Sequence, residues 1–148
     1  MSKSELIIAF ADGSYRFRLT LHGINEIQER CKAGIGKVWS RLAASRLNHL
    51  DIDAGVPNQA EFLIADIVEP IRQGLIGGGM GEVDGQEVKV TSLVANRLID
   101  NYVFNRPLQE SWSLAFAIVG ALIEGYDAPD KKKVAMETER EGSTTPTP

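Results

Sequence analysis

Polar and hydrophobic positions alternate one by one at the start of the chain and then change period. Glu5 to Phe10 is largely apolar and ends at Asp12-Gly13, after which Tyr15, Phe17 and Leu19 interleave with Arg16, Arg18 and Thr20. Successive side chains of a strand point to opposite faces, so this stretch predicts a β-hairpin with one covered and one wet face. Asp-Gly favours a tight turn, and the neighbouring Ala11 and Ser14 allow a loop of either two or four residues. Directly afterwards Ile24, Ile27 and Cys31 follow at spacings of three and four, which predicts an amphipathic helix.

Helical spacing then dominates. Ile35, Val38, Trp39, Leu42, Ala43 and Leu47 form a second stripe beyond Gly34 and Gly36, and Asn48 to Pro57 reads as a connection rich in turn residues. Asn58 with Glu61 reads as a helix cap, followed by the stripe Phe62, Ala65, Val68, Ile71 and Leu75. Pro70 falls inside that stripe and predicts a kink or a division into two pieces. The glycines at 77–79 predict its end, and 83–90 is either a short extended segment or a loop. Thr91 predicts the cap of a helix bearing Val94, Leu98 and Tyr102, and Pro107 the start of a last helix bearing Leu108, Trp112, Ala115, Val119, Leu122 and Tyr126. The whole predicts an α+β fold, mainly α: an N-terminal β-hairpin and four or five helices in one globular domain over residues 1–127. Residues 128–148 are mostly Lys, Glu, Thr and Pro and predict a disordered polar tail.

Length and charge narrow the function classes. A chain of 148 residues with 43% hydrophobic side chains is long enough for one adequate core. A formal net charge of -4 disfavours nucleic acid as a partner, because phosphate binding needs clustered Lys and Arg, and Arg41 and Arg46 are too few to make a basic face. The longest apolar run, Leu114 to Ile123, is about half of the roughly 20 residues that a membrane span needs, so no membrane contact is expected. One cysteine, Cys31, forms no internal disulfide, and no export signal is visible at the N-terminus; both point to the cytoplasm.

Candidate chemistry falls away on inspection. The Gly77-Gly78-Gly79-Met80-Gly81 segment lacks the lysine and the preceding strand of a phosphate loop. Asp51-Ile52-Asp53-Ala54-Gly55 opens like a calcium loop, but Gly55 and Phe62 stand where oxygen ligands are required. His22, His49 and Cys31 lack the paired spacing of zinc ligands. Asp66 and Glu69, three apart, read as a solvated helix face rather than an acid/base pair. The reading is therefore a non-enzyme without metal or cofactor. Trp39, Phe62, Trp112, Phe116 and Tyr126 are the large aromatic candidates for a recognition surface, most of them expected in the core. Phe116 and Ala117 widen the last helix's apolar surface beyond a single packing stripe.

Three stretches, in their order and separation, resemble the small tail assembly chaperone family of phages and gene transfer agents: Tyr15-Arg16-Phe17-Arg18-Leu19-Thr20-Leu21 before a helix, Ile71 to Gly79 ending in glycines, and Leu114 to Tyr126. The resemblance spans residues 5 to 127. It implies a protein that keeps the long helical tape-measure protein soluble while tail-tube protein assembles around it in the host cytoplasm; several copies per client are expected, since a long repetitive helix offers many similar sites, and self-association is a further candidate contact. No catalytic residues come with it. A structural tail-tube component, or an unrelated helical interaction module, is the alternative. For the chaperone reading the last helix and the outer edge of the hairpin are the candidate surfaces, with Trp112, Phe116 and Val119 the candidate partner-binding residues, because an amphipathic client helix needs an apolar groove.

Overall fold

The computed structural model describes residues 3–53 and 62–125, and for 45–53 the backbone alone. The polar tail, the Asn58–Glu61 cap and Tyr126 lie outside the described residues, as do the side chains of His49, Asp51 and Asp53. Among the described residues the elements follow in the order β1 (Glu5–Phe10), β2 (Gly13–Arg18), α1 (Leu21–Cys31), α2 (Ile35–Asp53), α3 (Ile64–Gly78), β3 (Met80–Val83), β4 (Gln86–Lys89), α4 (Ser92–Tyr102) and α5 (Leu108–Glu124). The fold is α+β, mainly α, with the hairpin first.

Hairpin register runs from Glu5 opposite Arg18 to Phe10 opposite Gly13, so the loop has two residues, Ala11 and Asp12. Ala11 rather than glycine takes the positive φ of 57°. Gly13 is needed for a different reason: a Cβ there would lie 2.2 Å from the Glu82 carbonyl oxygen of β3. The segment left open between strand and loop is in fact a second hairpin, turning at Asp84 and Gly85, both at positive φ. It joins the first through Ser14–Glu82 and Tyr15–Gly81, giving an antiparallel sheet in the order β1-β2-β3-β4. Beginning in a glycine run, β3 offers too few apolar side chains for its period to be legible.

Caps at two helices follow the sequence. Thr20 Oγ1 accepts from the Gly23 N–H at 3.1 Å, and Thr91 Oγ1 from the Val94 N–H at 3.3 Å. Three boundaries differ from expectation. Lys32, at φ 53°, ends α1, and Gly36 lies inside α2, so only Gly34 separates the two helices. Residues 48–53 continue α2, since nothing before Gly55 and Pro57 breaks a helix. α3 starts at Ile64 instead of near Asn58: the Asp66 carboxylate accepts from the Leu63 N–H at 2.9 Å, supplying half of a capping box. The helix runs unbroken through Pro70. One missing hydrogen bond is outweighed because α3 is the central element, packed on α1, β2, α4 and α5 with Ile67, Ile71 and Leu75 fully buried.

The glycine run does terminate α3, with Gly79 in the left-handed region at φ 71°. It also does something the spacing did not suggest. A Cβ at Gly77 would fall 2.0 Å from the Arg18 carbonyl oxygen, and one at Gly78 1.7 Å from that of Arg16. The last turn of α3 thus lies directly on the β2 backbone, and Arg16 Nε donates to the Gly78 carbonyl at 2.8 Å.

Candidate functional site

α5 begins after Pro107 and turns Trp112, Ala115, Ile118 and Val119 into the core. Its flank Leu114, Phe116, Ala117 and Gly120 is only half-buried. This flank faces the inner side of β1, where Leu6, Ile8 and Phe10 project at alternate positions. Two adjoining hollows, of about 520 and 320 Å³, lie between them and share Ile8 and Ala117. Together they make one apolar groove along α5. Ala117 and Gly120 keep its floor low. Tyr102, Arg106 and Glu110 bring polar groups to the first hollow, and Glu124 to the second.

Aromatic stacking sets the walls. The Phe116 ring lies parallel to Trp39 of α2, with centroids 6.1 Å apart and 9° between planes. Trp39 Nε1 is buried with no hydrogen-bond partner among the described residues. Phe10 meets Tyr15 and Phe17 edge to face, which braces β1 behind the groove. Burial and the hydrogen bond donated to Asp12 push the Tyr15 hydroxyl well above its ordinary range.

The three sequence-selected residues separate. Phe116 lines the groove. Trp112 is 9% exposed, donates from Nε1 to the Leu42 carbonyl at 3.0 Å and stacks on Phe62. Val119 is fully buried. These two shape the groove from behind, and Phe116 alone of the three reaches its surface. Ile8 and Gly120, absent from the sequence reading, line it as well. Neither had a legible signal, because only the docking of α5 along β1 brings them together.

One expectation is overturned. Asp66 and Glu69 are 0% and 4% exposed, not a solvated helix face. Asp66 Oδ1 accepts from Arg41 at 2.6 Å, Glu69 accepts from Arg72, and Arg30 lies 3.7 Å from Glu69 Oε2. Arg72 Nε also donates to Asn96 at 2.9 Å, tying α3 to α4. The spacing of α3 held no signal for this, because its polar residues Asp66, Glu69 and Arg72 are covered by α1, α2 and α4 only in the fold. Burial first, and then the hydrogen bond to Asp66, raises the Cys31 thiol to about 12, so it stays protonated and non-nucleophilic at neutral pH. No hollow described above opens onto this cluster, whose role is to join α1, α2 and α3.

Comparison with known family models, with curated proteins and with solved structures found no match. Among the described residues no three His, Cys, Asp or Glu side chains are placed to hold a metal ion, and no helix is long and apolar enough to cross a membrane.

Proposed function

We propose that this chain is a phage or gene-transfer-agent tail assembly protein, a chaperone whose α5–β1 groove receives a helical segment of the tape-measure protein while the tail tube forms. The observation that carries the proposal is the groove itself: two adjoining, open and mostly apolar hollows beside α5 that share Ile8 and Ala117. A helix laid in such a channel satisfies its own backbone and needs only a row of apolar side chains at i, i+3, i+4 and i+7. The likeness of residues 5 to 127 to the small tail assembly chaperones supports the same reading and supplies the client.

Phe116→Asp tests it. A carboxylate in the groove wall should abolish capture of a tape-measure helix in a pull-down while leaving the circular dichroism spectrum unchanged. Ala117→Lys, at the shared floor of both hollows, should do the same without touching the Trp39 stack. Full binding by both folded variants would remove the groove from the mechanism.

A further inference from the structure

The two edges of the sheet are built differently. β4 is four residues long and carries Glu87 and Lys89, the kind of charged short strand that discourages pairing. β1 is six residues long, pairs with β2 without a bulge and contains no Pro, Lys or Arg. Phe10 and Gly13 flank a two-residue loop, so alternation directs the N–H and C=O groups of Leu6, Ile8 and Phe10 toward β2, and those of Glu5, Ile7 and Ala9 outward. Ile7 is 70% exposed there, and Glu5 has no ion-pair partner among the described residues. Lys3 stands in a β-bridge although none of the registers of the four strands reaches it, so pairing at the start of β1 extends beyond them.

The chain leaves α5 beside this edge. Ser113 and Leu114 share the first hollow with Phe10, Ala11 and Gly13, whereas Glu124 and Gly125 share the second with Leu6 and Ile8. α5 therefore runs antiparallel to β1 and ends near its start. Residues 126–131 can span up to about 20 Å at roughly 3.3 Å each, and Pro129 with Asp130 supplies turn chemistry for a reversal. Beyond them Lys132, Val134 and Met136 fall at alternate positions, and Val134 and Met136 are the only large apolar side chains after Tyr126. We infer that residues 132–136 of the chain's own C-terminal segment add to the outer edge of β1 as a further strand, parallel to it, with Lys132 beside Glu5, Val134 beside Ile7 and Met136 beside Ala9. This register gives the unpaired Glu5 carboxylate an ammonium group and covers the exposed Ile7 with an apolar neighbour on the same face. A shift of two residues either way brings Asp130 or Val134 to Glu5 and loses the charge pair. The Ile7 N–H then donates to the Lys133 carbonyl, and the Ile7 carbonyl accepts from the Ala135 N–H. Ala9 also lines the first hollow, so Met136 comes to its rim, but the inference holds whether or not a tape-measure helix binds there.

Oxidation and hydrogen exchange of the full chain test it. Neighbouring strands lie about 4.8 Å apart, within the reach of a disulfide. Ile7→Cys with Val134→Cys should therefore close a disulfide within one chain on mild oxidation, about tenfold faster than Ile7→Cys with Thr145→Cys, while buried Cys31 takes no part. The Ile7 amide should be protected from exchange. Ala135→Pro, which removes the donor to the Ile7 carbonyl, should speed that exchange by about tenfold and leave the Ile8 amide, bonded to β2, unchanged. Equal closure by the two cysteine pairs, disulfides between chains in place of within them, or an Ile7 amide that exchanges freely in the unaltered chain would overturn the inference.

Discussion

Gly78→Ala is expected to lower the melting temperature by about 10 °C, corresponding to about 2–4 kcal/mol. Helix propensity alone argues the opposite, since alanine in a helix is favoured over glycine by roughly 1 kcal/mol. Geometry decides. The new Cβ would fall 1.7 Å from the Arg16 carbonyl oxygen and 2.5 Å from its carbon, both backbone atoms that cannot rotate away. Either the last turn of α3 or the middle of β2 must move, and Phe17, fully buried beside this contact, must move with them. Gly36→Ala is the internal control. It also lies in a helix, but nothing stands within 4 Å of its Cβ, so propensity should prevail there and stability rise by about 0.5–1 kcal/mol. Thermal unfolding of the two variants, read side by side, should give shifts of opposite sign.

Asp66→Ala should cost about 3–5 kcal/mol, a large part of the stability of a small domain. The loss is not simply that of one ion pair. Arg41 would remain with its side chain only 18% exposed and its carboxylate gone, and the Leu63 N–H that begins α3 would lose its acceptor. Asp66→Asn, which keeps an acceptor for Leu63 and its own shape, should cost less. Replacing both members, Asp66→Leu with Arg41→Met, should recover much of the loss, because the penalty lies in stranding a buried charge. Urea titration checks this: the midpoint should fall in the order wild type, Asp66→Asn, Asp66→Ala, with the slope unchanged.

These two sites mark the boundary of what the chain discloses by itself. The β1–β2 hairpin, the Thr20 and Thr91 caps, the end of α3 at Gly79 and the course of α5 were legible because each depends on neighbours a few residues away. The second hairpin was not, since β3 owes its place to pairing with β2 across some sixty residues of sequence, through Tyr15 and Gly81. Asp66 and Glu69 looked solvated because spacing reveals a face but not what covers it, and here Arg41 of α2 and Arg72 cover it. The groove was half legible. Phe116 and Ala117 stood out as apolar surplus on α5, whereas Ile8 and Gly120 acquire meaning only once β1 lies alongside.

The central claim is that the α5–β1 groove holds a helix of another polypeptide. Its most direct test is amide and indole chemical-shift mapping of the full chain titrated with a tape-measure helical segment. Saturable shifts at Ile8, Ala117 and Gly120 and at the Trp39 indole N–H are the expected result. An unperturbed spectrum at excess peptide, or shifts confined to α4 or to the open face of the sheet around Met80 and Glu87, would contradict it.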